Sequence, residues 1–359
     1  MPAFSLSLSV RRVRCREGGS TERSRWFNRE VEMLTRREFA LASAATLLVG
    51  PGRAQEGYPS RPIRILVGYP AGGGVDLVAR LVAEPMKATF NQTVIVENRP
   101  GASAMIAAQA VATATPDGHT LLAAASGEIA SNQFLFKDKM TYDPLRQLAP
   151  VALIGIVPCV VVVAATTPVH NPAELIAYAR AHRGKLSFSS SGVGNPQQLA
   201  GELMNTMAGT DVLHVPYRGA APAVTDVATG AVTMSFSSLA AALPLIQDGK
   251  LRAVAVTSRD RMPQLPDVQT LSEGVPELNG YELLNWFALF ATAGTPEPII
   301  TRLNGIANTA LRDPAVAHKL EIQGIVPRPM TPAEFKAFVA SEAEKFGRII
   351  ARANIHIEN

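Results

Sequence analysis

Short hydrophobic runs alternate with longer stretches of helical periodicity along most of the chain. The apolar runs at 63–67, 93–97 and 120–124 have the length of buried strands. Between them, the stretches 75–88 and 103–113 space their apolar residues as amphipathic helices do. Such alternation is typical of βαβ units, in which helices cover both faces of a parallel sheet, and it predicts an α/β fold.

The same plan repeats further along the chain. Pro158 interrupts a long apolar run, which predicts two strands, at 151–156 and 160–165. Strands and helices then alternate to residue 257, and a strand at 285–291 precedes three terminal helices. We expect two lobes, each a mainly parallel sheet flanked by helices, with a ligand cleft at the hinge. The first lobe takes residues 55–157 and 283–359, and the second takes 158–282.

Residues 1–54 differ in charge from the rest of the 359-residue chain. They contain ten Arg and five Glu of the 34 basic and 30 acidic residues, so 24 basic and 25 acidic residues follow them. The net charge of +4 therefore belongs to the leader, and the body is about neutral. No basic stripe with interleaved aromatic residues follows, which excludes nucleic acid as a partner.

The segment 33–54 has the pattern of an export signal. A basic start precedes the apolar run 39–49 and a small residue, Ala54. The run is too short to span a bilayer, and Arg36-Arg37 resembles a twin-arginine signal. We expect translation to start at Met33, with 1–32 as an upstream extension, and cleavage near Ala54 to leave a periplasmic protein.

A glycine-rich turn at 68–76 joins the first strand to the first helix. It lacks the Lys-Ser or Lys-Thr pair of a Walker loop, and its consecutive glycines do not fit G-x-G-x-x-G. A helix start still exposes N–H groups and a partial positive charge, which favours a carboxylate or a similar small anion. Two alternatives stay open: the glycines serve backbone geometry alone, and Asp76 only caps the helix.

A second turn of this kind follows the strand near 186–189. Ser190 and Ser191 supply hydroxyl groups, and Gly192 supplies an accessible backbone amide. Asn195 before Pro196 is equally suited to cap the next helix, which we predict at 196–208. Nearby, Arg218 could pair with a carboxylate through two hydrogen bonds or be solvated, and Tyr217 could donate its hydroxyl or only pack.

The sequence contains no evident catalytic or metal centre. A G-x-S-x-G motif is absent around Ser191, and the six histidines are scattered without metal-ligand spacing. Of the two cysteines only Cys159 follows the leader, which excludes an internal disulfide in the mature chain. We therefore expect no enzyme activity, no metal and no cofactor.

Several ordered motifs resemble the Bug family, the periplasmic solute-binding proteins of tripartite tricarboxylate transporters. Among them are Val96-Glu-Asn-Arg-Pro-Gly-Ala102 and His214-Val-Pro-Tyr-Arg-Gly219. The remaining segments are 58–64, 68–76, 116–122, 199–203, 249–258 and 265–268. The resemblance covers nearly all of residues 58–355. It implies a hinged, two-lobed protein that binds small carboxylates, largely through backbone groups and ordered waters.

The resemblance also implies a set of ligand-binding positions. In the first lobe these are Tyr69, Gly72, Gly73, Asp76 and Ser126. In the second lobe they are Ser190, Ser191, Gly192, Gln198, Tyr217, Arg218, Gly219 and Ser237. The chain departs from the family pattern at 195–198 and at Ser237-Ser238, where the far end of a ligand is expected. The loss of a side-chain charge there suits a less polar or neutral ligand tail.

We interpret the sequence as a monomeric, exported binding protein that delivers a small organic carboxylate to membrane transporter subunits. A ligand-dependent partner of a sensor kinase is the alternative, since it requires the same hinged clamp. A periplasmic hydrolase with Ser191 as its nucleophile is the less favoured alternative.

Overall fold

The computed structural model describes residues 57–217 and 219–356. The predicted export signal and Arg218 lie outside these residues. In the part that is described, no helix combines the length and the apolar character needed to cross a membrane.

Strands and helices alternate through the described chain. The strands are β1 Ile63–Val67, β2 Val94–Asn98, β3 Thr120–Ala125, β4 Leu148–Ala164, β5 Ser187–Ser190, β6 Leu213–Pro216, β7 Met234–Ser238, β8 Leu251–Val256, β9 Leu284–Thr292 and β10 Val326–Pro327. The helices are α1 Gly74–Phe90, α2 Met105–Ala112, α3 Asn132–Leu135, α4 Pro144–Gln147, α5 Pro172–Ala181, α6 Pro196–Ala208, α7 Ala220–Thr229, α8 Leu239–Gln247, α9 Glu297–Leu311, α10 Pro314–Ile322 and α11 Pro332–Arg352. A single π-helical turn, Gly127–Ser131, follows β3.

The break predicted at Pro158 is wrong, because β4 runs through it as one strand of 17 residues. Residues 148–158 of β4 pair with β9, whereas 159–164 pair with β7 and β8. Pro158 therefore lies where the ladder changes partners. A residue without an N–H is tolerated at such a position, since it removes little regular pairing.

Two groups of strands meet along β4. The first lobe, as we use the term, holds β1, β2, β3, β9, β10 and the first part of β4, in the order β2-β1-β3-β9-β4. The second lobe holds the rest of β4 with β5 to β8, in the order β4-β7-β5-β6. Pairs among β1 to β3 and among β5 to β7 are parallel, whereas every pair that includes β4 or β9 is antiparallel. The residue boundaries predicted for the lobes stay predictions.

Close packing fixes the helix that follows the second glycine turn. Helix α6 has the predicted bounds, begins with a proline, and is capped by Asn195, whose side chain accepts a hydrogen bond from the Gln198 N–H. Gly201 lies directly against the ring of Phe188 on β5, where an added Cβ would be only 2.4 Å from ring carbons. The start of α6 is thereby held at the carboxyl end of β5.

Candidate functional site

A cavity of about 580 Å³ lies between the lobes, and both predicted glycine turns line it. The first lobe contributes the turn after β1, the segment after β3 and part of β9. The second lobe contributes the turn after β5, and the floor is the part of β4 where the ladder changes partners. The lining residues from these segments include Tyr69, Gly73, Gly74, Val75, Gly127, Asn132, Phe136, Val157, Cys159, Ser191, Gly192, Val193, Asn195, Gln197, Ser238, Asn285 and Phe287.

The first turn presents the start of α1 to the cavity. Gly73 is the N-cap, and Gly73, Gly74 and Val75 all line the wall. The first N–H groups of a helix have no acceptor within the helix, and the helix dipole makes this end partly positive. The arrangement suits a carboxylate.

Asp76 lies under the turn and not in the cavity wall. Its carboxylate accepts a hydrogen bond from the Gly72 N–H at 2.9 Å and two from the Arg80 guanidinium at 3.0 Å. The Asn98 amide donates a further bond at 2.9 Å. These bonds, chiefly those from Arg80, lower the pKa of Asp76 to about 2 although its burial opposes the shift. The carboxylate therefore stabilises the turn through the Gly72 N–H, whereas the N-cap Gly73 of α1 has no side-chain cap.

Side chains already occupy most amide groups of the second turn. The Ser191 N–H donates to Gln197 Oε1 at 2.8 Å, and the Gly194 N–H donates to Gln198 Oε1 at 2.7 Å. The Gly192 N–H donates to Ser190 Oγ at 3.3 Å. The second lobe thus offers the cavity mainly neutral polar groups rather than the open anion cradle that the sequence predicted.

The two serines of this turn have different surroundings. Ser191 Oγ accepts a hydrogen bond from the Asn195 amide at 2.8 Å. Ser190 is fully buried, and its Oγ lies 2.7 Å from His214 Nε2. Burial lowers the pKa of His214 to about 4, so the imidazole is neutral at pH 7. The serine exposed to the cavity is therefore not the one beside the histidine, which gives the hydrolase alternative no geometric support.

The remaining predicted residues that the structure describes do not line the cavity. Ser126 Oγ donates to Asn285 Oδ1 at 2.8 Å, and the Gly219 N–H donates to Ser191 O at 3.3 Å. The Tyr217 hydroxyl donates to Asp226 at 2.5 Å. This hydrogen bond is the main reason why the pKa of Tyr217 rises to about 12. Ser237 is buried and does not line the cavity. Of the predicted set, Tyr69, Gly73, Ser191 and Gly192 line the cavity.

Several lining residues were not predicted. Ser238 lines the cavity in place of Ser237, because neighbouring strand residues face opposite sides of a sheet. Asn285 and Phe287 come from β9, a strand of the first lobe that follows the whole second lobe in sequence. Phe287 also packs against Gly74, where an added Cβ would be 2.9 Å from its ring. A strand-alternation argument could have found Ser238, whereas no local signal marks Asn285.

The described lining of the cavity is neutral and combines polar groups with a larger share of apolar surface. Among the described residues that line it there is no Asp, Glu, Lys, Arg or His. Hydroxyl and amide side chains provide its polar groups, and Phe136, Val157, Val193 and Phe287 provide apolar surface. The lobes also touch beside it, where Ser131 Oγ lies 3.4 Å from Gly194 O.

Comparison with known proteins gives the context of this cavity. The family model described as "Tripartite tricarboxylate transporter family receptor" matches residues 78–355. Protein BugT of Bordetella pertussis is 34% identical over 82% of this chain and 89% of its own length.

Two solved structures that are similar to this chain contain carboxylates. Rpa4515 of R. palustris with adipate has a TM-score of 0.72 and 34% identity, covering 84% of this chain and all of that one. MatC of Rhodopseudomonas palustris with bound malate has a TM-score of 0.67 and 31% identity, covering 82% of this chain and all of that one. These similarities confirm both the predicted resemblance and the two-lobed binding-protein fold.

Proposed function

Because this chain belongs to the tripartite tricarboxylate transporter receptor family, we propose that it is an exported solute-binding protein. It captures a small organic carboxylate between its lobes and delivers it to the membrane subunits of such a transporter. The protein binds its ligand and does not transform it. The observation that carries the proposal is that two turns from separate lobes line one cavity, whose described lining residues are all neutral.

The ligand carboxylate binds at the first lobe. There the start of α1 supplies three consecutive backbone positions, Gly73, Gly74 and Val75, and Asp76 holds the turn in place. A small anion at a helix start is stabilised by free N–H groups and by the helix dipole. The far end of the ligand lies against Ser191 and its neighbours in the second lobe. Arg218 stays in the proposed site on the strength of the sequence.

The size and polarity of the cavity narrow the ligand class. A volume of about 580 Å³ accommodates a small metabolite. Apart from the predicted Arg218, which lies outside the described residues, the walls carry no cationic side chain that could neutralise several charges. Burying an unpaired charge is costly. We therefore favour a mono- or dicarboxylate with an apolar body over a tricarboxylate. The relatives that contain adipate and malate support this size class.

Thermal unfolding with added carboxylates tests the proposal. We expect adipate, malate or benzoate to raise the midpoint by about 5 °C at a concentration one hundred times its Kd, which corresponds to about 2.7 kcal/mol. Citrate should give a smaller shift. The absence of any shift with the whole panel would contradict the proposed function.

Gly127→Ala tests whether the ligand lies in this cavity. An added Cβ would be 3.8 Å from the Tyr69 hydroxyl, an ordinary contact, so the variant should fold normally while its methyl group enters the wall. The matched control is Gly305→Ala, on an exposed face of α9 with no atom near the added Cβ. We expect weaker binding in Gly127→Ala alone. Equal affinities in both variants would place the ligand elsewhere.

A further inference from the structure

A carboxyl group without a cationic partner lies directly behind the first-lobe end of the cavity. Glu128 is fully buried in the π-helical turn after β3. Its Oε2 accepts a hydrogen bond from the Tyr69 hydroxyl at 2.7 Å, and its Oε1 accepts one from the Ala125 N–H at 2.9 Å. Both Tyr69 and Ala125 line the cavity. A single layer of residues therefore separates the Glu128 carboxyl group from the cavity.

The groups around Glu128 do not neutralise it. Tyr69 faces it from the turn after β1, and the Tyr142 hydroxyl, from the segment before α4, donates to its backbone carbonyl at 2.7 Å. On α11, which packs against the same turn, Glu342 pairs with Lys345 and Glu344 pairs with Arg348. Among the described residues no cation pairs with Glu128.

Both protonation states of Glu128 are accessible near neutral pH. Burial raises its pKa from 4.5 to about 7, although the hydrogen bond from Tyr69 opposes the shift. A carboxyl group buried without a cation usually behaves in this way, since burial disfavours the charged form.

The two states orient the Tyr69 hydroxyl differently. When Glu128 is ionised it has no proton to donate, so Tyr69 must donate to it and can offer the cavity only a lone pair. When Glu128 is protonated it can donate to the Tyr69 oxygen, and the Tyr69 proton is free to turn to the cavity. The hydroxyl lies at the wall, 3.8 Å from the position of an added Cβ at Gly127.

We propose that Glu128 is a specificity-determining residue of the cleft, and that its proton converts Tyr69 from a hydrogen-bond acceptor into a donor. A ligand carboxylate then binds together with one proton. A ligand end that itself donates a hydrogen bond, such as a primary amide, binds the ionised form instead. The inference rests on the proposed function and specifies which chemical group the first lobe accepts at a given pH.

Glu128→Gln provides a variant that gains rather than loses binding. The Gln amide oxygen can still accept from the Ala125 N–H, while its NH₂ group donates to the Tyr69 oxygen as a protonated Glu128 does. The matched control is Glu202→Gln on α6, because Glu202 is also a glutamate whose burial raises its pKa and does not line the cavity. Tyr69→Phe removes the hydroxyl that is switched.

Isothermal titration with adipate, malate and benzoate between pH 5.5 and 8.5, in two buffers of different ionisation enthalpy, tests the inference. All three are ionised above pH 6.5. For each one that binds the wild-type protein, we expect affinity to fall about tenfold per pH unit above pH 7, with uptake of about one proton. Glu128→Gln should bind without proton uptake and more tightly than wild type at pH 8.5, whereas Glu202→Gln should match wild type. Tyr69→Phe should bind weakly with little dependence on pH.

The outcomes separate the two proposals. If wild type and Glu128→Gln lose affinity equally with rising pH, or if Glu128→Gln binds more weakly throughout, the role of Glu128 is overturned while the binding function stands. If no carboxylate of the panel binds at any pH, the proposed function fails, and the inference fails with it.

Discussion

The buried carboxyl of Glu128 should make the stability of the protein depend on pH even without a ligand. Its pKa is about 7 in the folded protein and 4.5 in an unconstrained chain, chiefly because of burial. Because the folded state holds the proton more tightly, protonated Glu128 contributes to the free energy of unfolding. This contribution is fully present below pH 4.5 and is lost as pH rises through about 7. Glu128→Gln has no such proton and should not show the loss.

The magnitude follows from the size of the shift. A difference of roughly 2.5 pH units between folded and unfolded chains corresponds to about 3 kcal/mol. His214 acts in the opposite direction, because burial lowers its pKa from 6.5 to about 4 and its contribution is lost as pH falls through that window. The two slopes oppose each other in the wild-type protein, and only a comparison with the variant separates them.

Urea unfolding of wild type and Glu128→Gln at pH 5 to 8.5 measures the effect. Relative to wild type, we expect the free energy of unfolding of Glu128→Gln to rise by about 2.5 kcal/mol between pH 5 and pH 8.5, most of it below pH 7. The dependence of stability on urea concentration should be unchanged, which would show that the same surface is exposed on unfolding. Parallel curves for wild type and Glu128→Gln would refute the reasoning, because the carboxyl would then titrate alike in both states.

Two further substitutions examine the supports of the site. Asp76→Asn removes the charge that pairs with Arg80 and should lower the free energy of unfolding by about 1–3 kcal/mol at pH 7. The difference from wild type should shrink as pH falls from 3.8 towards 2. Equal urea midpoints at pH 7 would show that the Asp76 carboxylate does not stabilise the turn. Gly201→Ala places a Cβ 2.4 Å from the Phe188 ring and should lower the free energy of unfolding by about 1–3 kcal/mol. Its control, Gly305→Ala on an exposed helix face, should not destabilise the protein. Similar urea midpoints for both variants would contradict the packing argument.

Local signals were sufficient to predict most elements of the fold. The predicted helix at 196–208 begins and ends where α6 does, because an Asn cap and a first-turn proline mark its start and a glycine in the left-handed region, Gly209, follows its end. The failure at Pro158 has a long-range cause. Proline is tolerated at position 158 because β4 changes its partner strands at this point. Those partner strands lie more than seventy residues away in the sequence.

The candidate site was less predictable than the fold. The turns that contain Gly73 and Ser191 were found because strand, glycine turn and helix follow one another in sequence. The order of elements does not tell whether the backbone N–H groups of a turn are free. In the second turn, the side chains of Gln197 and Gln198 accept hydrogen bonds from two of these N–H groups. Glu128 gave no sequence signal at all. Its character depends on burial by segments distant in the chain.

The uninterrupted course of β4 through both lobes constrains how a ligand can enter. Since one backbone carries both ladders, sliding one lobe past the other would break hydrogen bonds along its whole length, whereas a bend near 157–159 would spare them. Opening is then a rotation about a fixed pivot at the cavity floor. Displacement grows with distance from that pivot, so the mouth of the cavity widens far more than its base. The angle between the lobes in the closed protein therefore depends on the length of the bound ligand.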